Sequence, residues 1–136
     1  MDATLLGEMR EQAKTAGASW DVVLKADAAP IESVDWSNLQ MLVTRSLGQI
    51  ATCLSSPDTT RMLVHPGLLA RYDRMELLSR LAAEVGRSEG IFGLWVLVPA
   101  TELSARPMLN QKAIPLANPA QHVRLNRAWL ANKHRA

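Results

Sequence analysis

The chain has 136 residues, of which 48% are hydrophobic and 21% charged, and its net charge is +2. That length suits one domain with a core of its own, and a single cysteine, Cys53, excludes a disulfide framework. No apolar run approaches the ~20 residues that span a bilayer, and the first residues lack the basic region of a secretory signal. The expectation is therefore a single α/β domain over residues 1–136, cytoplasmic and without membrane contact. Charge is unevenly distributed: residues 1–102 hold nine Lys/Arg and all thirteen Asp/Glu, whereas residues 103–136 hold six bases and no acid. A chain polarised in this way suits either an anionic partner for its tail or a contact between tail and body.

In chain order, the first element reads as a helix. Asp2 can cap it, Leu5, Leu6, Met9 and Ala13 make an apolar stripe, and Gly17 suits the position just past its end. Residues 20–25 match a helix face through Trp20, Val23 and Leu24, and equally an alternating strand through Trp20, Val22 and Leu24. Pro30 ends the segment in either case. The clearest helix spans residues 35–54, where Leu39, Leu42, Val43, Leu47, Ile50 and Leu54 share one face. Asp35 can cap it, with Ser33 as an earlier alternative. Cys53, near its end, reads as a small core hydrophobe more readily than as a nucleophile.

Residues 62–64 form a short apolar run ending in the turn signal His65-Pro66-Gly67. Asp73 and Glu76 have capping-box spacing ahead of a helix with Leu77, Leu78, Leu81 and Val85 on its core face and Gly86 at its end. A second apolar run covers 92–98. Strand, helix, strand at this spacing is a βαβ unit, with parallel strands expected to be covered on both faces and Trp95 packed inside. Residues 112–116 suit an edge strand, where Pro115 is tolerated. Asn118 and Pro119 would open a last helix bearing Val123, Leu125, Trp129 and Leu130. The fold expected is a small three-layer α/β domain, with a three- or four-stranded mainly parallel sheet flanked by helices.

The chemistry-bearing motifs are few. No phosphate-cradling glycine loop is present: the glycines near residues 87–93 precede a strand, whereas phosphate loops follow one. No kinase catalytic loop or D-F-G is present. His65, His122 and His134 are the only imidazoles, and none has a second ligand at metal-binding spacing. No metal, cofactor or catalytic set is therefore expected. His65 stands where open α/β sheets place a ligand crevice, at the C-terminal end of a parallel strand. With Arg71, Tyr72 and Asp73 it offers an imidazole, a guanidinium, a phenol and a carboxylate, and a polar turn is the plainer reading. In the tail, Arg124, Arg127, Lys133 and Arg135 interleave with Trp129 and could meet DNA phosphates or a protein partner, or form a solvated basic face.

Three blocks carry a resemblance: residues 63–72 (Leu-Val-His-Pro-Gly-Leu-Leu-Ala-Arg-Tyr), residues 93–99 (Gly-Leu-Trp-Val-Leu-Val-Pro) and residues 128–135 (Ala-Trp-Leu-Ala-Asn-Lys-His-Arg). Their order resembles the C-terminal end of the PglW-type serine/threonine kinase proteins of BREX phage-defence systems. Residues 20–24 and 35–39 fit the same region. The resemblance implies that the chain is the terminal module of a larger multidomain kinase whose catalytic domain lies elsewhere. It implies a non-enzymatic role in interaction or regulation, docking on other domains or subunits of a defence complex or on the upstream region of its own chain. Two further expectations stand beside it: a nucleic-acid-binding domain using the basic tail, and a small ligand-binding or enzymatic domain centred on His65.

Overall fold

A computed structural model describes residues 5–55, 57–99, 106–125 and 131. Three helices come first: α1 (Leu5–Thr15), α2 (Trp20–Asp27) and α3 (Val34–Leu54). Then follow β1 (Thr60–Leu63), the short α4 (Gly67–Arg71), α5 (Glu76–Glu84) and β2 (Gly93–Val96). A small hairpin, β3 (Met108–Leu109) and β4 (Lys112–Ala113), precedes a single 3-10 turn at Pro119–Gln121.

The helical half forms because each helix buries one stripe against the others. Leu5, Met9 and Ala13 of α1, Val23 and Ala26 of α2, and Leu39, Val43, Leu47, Ile50 and Leu54 of α3 belong to one core. Both α1 and α2 pack along α3. Gly17 ends α1 at φ +70°, where the Ala18 N–H reaches back to the Ala13 carbonyl at 2.9 Å; this is the left-handed position that glycine takes without strain. Residues 20–27 settle as a helix, because the 3.6-residue period puts Val23 and Ala26 inward while Val22 and Leu24 stay about half exposed. The cap of α3 is Ser33 and not Asp35: its Oγ accepts the Trp36 N–H at 3.1 Å. Cys53 is exposed, since the stripe that buries Ile50 and Leu54 turns it outward.

The βαβ expectation is met in its connectivity. β1 and β2 pair in parallel, Thr60 with Gly93 through Leu63 with Val96. Its extent differs. Among the described residues the parallel sheet has two strands, against three or four expected, and the other strands form a separate antiparallel pair. Residues 112–116 do not reach this sheet, because the left-handed pair Asn110 (φ +46°) and Gln111 (φ +67°) turns the chain back onto β3.

Of the three layers expected, the described residues supply the sheet and the helices on one face of it. Strand side chains alternate between faces, and among the described residues only one face is covered. Leu63 is buried, and Leu94, Val96 and Val98 pack against the core. On the other face Met62 and Trp95, register partners, are 51% and 61% exposed, and Leu97 is 51% exposed. The expectation of a packed Trp95 is therefore overturned: a continuous apolar run shows that a strand is apolar on both sides, not that both sides are covered.

Two glycines at the loop between α5 and β2 also allow close packing. A Cβ on Gly90 would lie 2.0 Å from the Glu84 carbonyl oxygen, and one on Gly93 would lie 2.9 Å from Thr60 Oγ1. The expected last helix opens as a 3-10 turn, capped by Asn118 Oδ1 accepting the Ala120 N–H, is non-helical over residues 122–125, and among the described residues is helical again at Ala131. Val123 and Leu125 beyond the turn are exposed, and Trp129 and Leu130 lie outside the described residues.

Candidate functional site

Arg71 and Tyr72 sit at the end of α4, and the structure brings them onto Asp27 at the end of α2. Arg71 Nε donates to Asp27 Oδ1 at 2.9 Å and Arg71 Nη2 to Oδ2 at 2.7 Å, a two-pronged match of guanidinium to carboxylate. The Tyr72 hydroxyl donates to the same Oδ1 at 3.0 Å. The Tyr72 ring is buried and lies 6.2 Å from that of Trp36, tilted by 47°. This cluster ties the helical half to the βαβ half.

Its electrostatics follow from that geometry. Partial burial pushes the Asp27 carboxyl up, but hydrogen bonds from Arg71 and Tyr72 and the Arg71 charge outweigh it and hold the group below its ordinary value. The same hydrogen bond to Asp27 raises Arg71. Burial, reinforced by the neighbouring carboxylate, pushes Tyr72 up to about 12. All three groups are thus held in their ordinary ionisation states near neutrality. A poised acid or base would show the opposite tendency.

Asp73 takes another path. It is the left-handed residue (φ +57°) that closes α4, with the Arg74 N–H bonded to the Leu69 carbonyl at 2.7 Å and the Asp73 N–H to that of Ala70 at 3.4 Å. It therefore ends one helix and does not cap the next; α5 begins at Glu76 with no side-chain cap. The Asp73 carboxylate pairs with Lys112 of β4, which holds it below its ordinary value. Arg74 turns the other way, its Nη2 reaching Gln40 Oε1 of α3 at 2.9 Å.

Of the four residues expected to share one site, His65 and Arg71 line one recess, Arg71 and Tyr72 meet on Asp27, and Asp73 pairs with Lys112. His65, left-handed at φ +55°, is exposed at the C-terminal end of β1. It lines a recess of about 630 Å³ with Val64, Leu68, Arg71, Leu97 and Asn110. Val64 and Leu97 continue the outward rows of Met62 and Trp95, so the recess is one end of the open sheet face. Asp27 was not legible as a partner: it lies 44 residues from Arg71, with no local spacing to mark it. The described residues contain no group of three or more His, Cys, Asp or Glu placed to hold a metal ion, and no described helix is long and apolar enough to cross a membrane. Of the basic tail, Arg124 is exposed on non-helical chain and makes an interaction of its own. Arg127, Lys133 and Arg135 lie outside the described residues.

These features define a small α/β domain with a polar clamp between its halves and one open sheet face. No protein-family model matches the chain, and no solved structure matches it. It is 33% identical, over 86% of its length, to the Probable kinase PglW of Streptomyces coelicolor. The chain is related to PglW-type proteins, as its sequence blocks suggested, and corresponds to a small region of one, spanning 8% of that relative's length.

Proposed function

We propose that this chain is a non-catalytic docking module of a PglW-type anti-phage defence protein, and that it docks through the open face of its sheet. The observation that supports this is the exposure of Met62, Trp95 and Leu97 in one contiguous patch. Parallel strands ordinarily have both faces covered, and contiguous exposed apolar surface ordinarily marks an interaction site. Aromatic and methionine side chains are also the types enriched at the centres of interfaces. The non-catalytic part of the reading is supported by the commitment of Arg71 and Tyr72 to Asp27 and of Asp73 to Lys112. His65 is left with no nucleophile, carboxylate or metal set among the recess-lining residues.

The test is a Met62→Ser/Trp95→Ser variant, examined for thermal unfolding and for co-purification with the remainder of its PglW-type parent. The expected outcome is an unchanged unfolding midpoint with loss of the complex. A complex that survives the double substitution would sink the proposal.

A further inference from the structure

The dimensions and charge of the open face limit what can cover it. The outward rows run over about five residues on each strand, roughly 15 Å at ~3.3 Å per residue, and the two strands lie ~4.8 Å apart. With its side chains the strip is about 10 Å wide, the diameter of one α-helix, and a helix of about ten residues matches its length. A second copy packed face to face would bury on the order of 300 Å² per subunit, well short of the ~800 Å² of a stable pair. The area therefore favours one helix over a dimer.

Orientation and charge agree with each other. In a βαβ unit the crossover helix runs back from the C-terminal end of one strand to the start of the next, as α5 does between β1 and β2. A helix laid the same way on the outer face would place its N-terminus over the recess at the strand ends. Helix N-termini favour Asp and Glu in their first turn. The recess matches this: its lining contains no carboxylate, and its polar groups are His65, Asn110 and the half-exposed Arg71 guanidinium. Asp27 offsets part of the Arg71 charge, so the complementarity is local and modest.

We propose that the open face seats a single amphipathic helix of about ten residues, antiparallel to β1 and β2. Its apolar residues, at spacings of three, four and seven, rest on Met62, Trp95 and Leu97, and its acidic first turn lies over His65 and Arg71. The helix comes from the same polypeptide, outside this segment. The chain matches only 8% of its relative, and covalent linkage raises the effective concentration of a covering helix far above that of a free partner. This inference rests on the docking reading and names its occupant.

The experiment is photo-crosslinking of the intact parent polypeptide carrying Trp95→p-benzoylphenylalanine, with the adducts mapped by mass spectrometry. Adducts at positions three or four apart, in one stretch of the same polypeptide that begins with Asp or Glu, are expected. Adducts at alternate positions, on a second copy or on another polypeptide overturn the helix and leave the docking reading standing. No adduct, together with a complex that survives the Met62/Trp95 substitutions, overturns both. The charge component is tested with Asn110→Asp, since aspartate tolerates that left-handed turn position. Its added negative charge is expected to weaken association of the chain with the remainder of its parent about threefold at low salt; unchanged association overturns the acidic first turn.

Discussion

The two faces of the β1–β2 sheet both carry large apolar side chains, beside Arg61 on the inner face and Thr60 on the outer, and have opposite surroundings. Leu63, Leu94 and Val96 enter the common core, while Met62, Trp95 and Leu97, one residue out of phase, stand in solvent. Hydrophobicity along a strand therefore reports what it can bury. What it does bury is decided by the elements that arrive on each side, and among the described residues only one side has received them. The inner face holds the domain together, whereas the outer stands exposed among the described residues, which is the basis of the docking proposal.

The comparison can be broken most directly by truncation on each face. Leu63→Ala is expected to cost about 3 kcal/mol, the loss of buried methyl groups plus the cavity they leave. Trp95→Ser, on the same sheet, should change stability by less than about 0.5 kcal/mol despite removing the larger side chain. Urea titrations followed by far-ultraviolet circular dichroism give both values, and comparable losses would mean that the outer face is packed within this chain.

The clamp between the two halves comes next in size. Asp27→Ala leaves the buried Tyr72 hydroxyl and the Arg71 guanidinium without their acceptor, at an expected cost of about 2 kcal/mol. Tyr72→Phe removes one hydrogen bond and should cost about 1 kcal/mol. Both follow from the same unfolding measurement, and a Tyr72→Phe loss larger than that of Asp27→Ala would show the ring packing to be disturbed.

The clamp also predicts a pH profile. The Tyr72 phenol is raised in the folded state to about 12 from an ordinary 10. Its contribution is present below pH 10 and is lost as pH climbs from 10 towards 12. Asp27 is lowered from its ordinary 3.8, so its contribution is present above that value and is lost as pH falls below it. Stability measured against pH should fall at both limbs, and Tyr72→Phe should flatten the alkaline one and, by removing one of the hydrogen bonds that lower Asp27, reduce the acid one as well. The smallest effect is expected for Lys112→Ala. Its pair with Asp73 is exposed and screened by salt, and the unfolding midpoint should not move measurably.

Much of the local structure was legible in the chain. The stripes of α1, α3 and α5, the turn signals at Gly17 and His65-Pro66-Gly67, the parallel β1–β2 pair and the Asn118 cap depend on residues within a few positions of one another or on a crossover rule. The sites were less legible. His65, Arg71, Tyr72 and Asp73 are close in sequence, yet α4 is a single turn closed by a left-handed Asp73. One turn is enough to aim Arg71 and Tyr72 at α2 and Asp73 at the hairpin, and leave His65 facing the strand ends.

The sequence alone was enough for helices α1, α3 and α5, the parallel β1–β2 pair, the α/β class and the kinship with PglW-type proteins, because periodicity, turn chemistry and sequence blocks are local properties. Only the tertiary structure decided that residues 20–27 are helical, that Asp27 receives Arg71 and Tyr72 from 44 and 45 residues away, and that Trp95 lies in the open. Each of those outcomes depends on which elements meet across the fold, and no spacing along the chain encodes a contact between segments that distant.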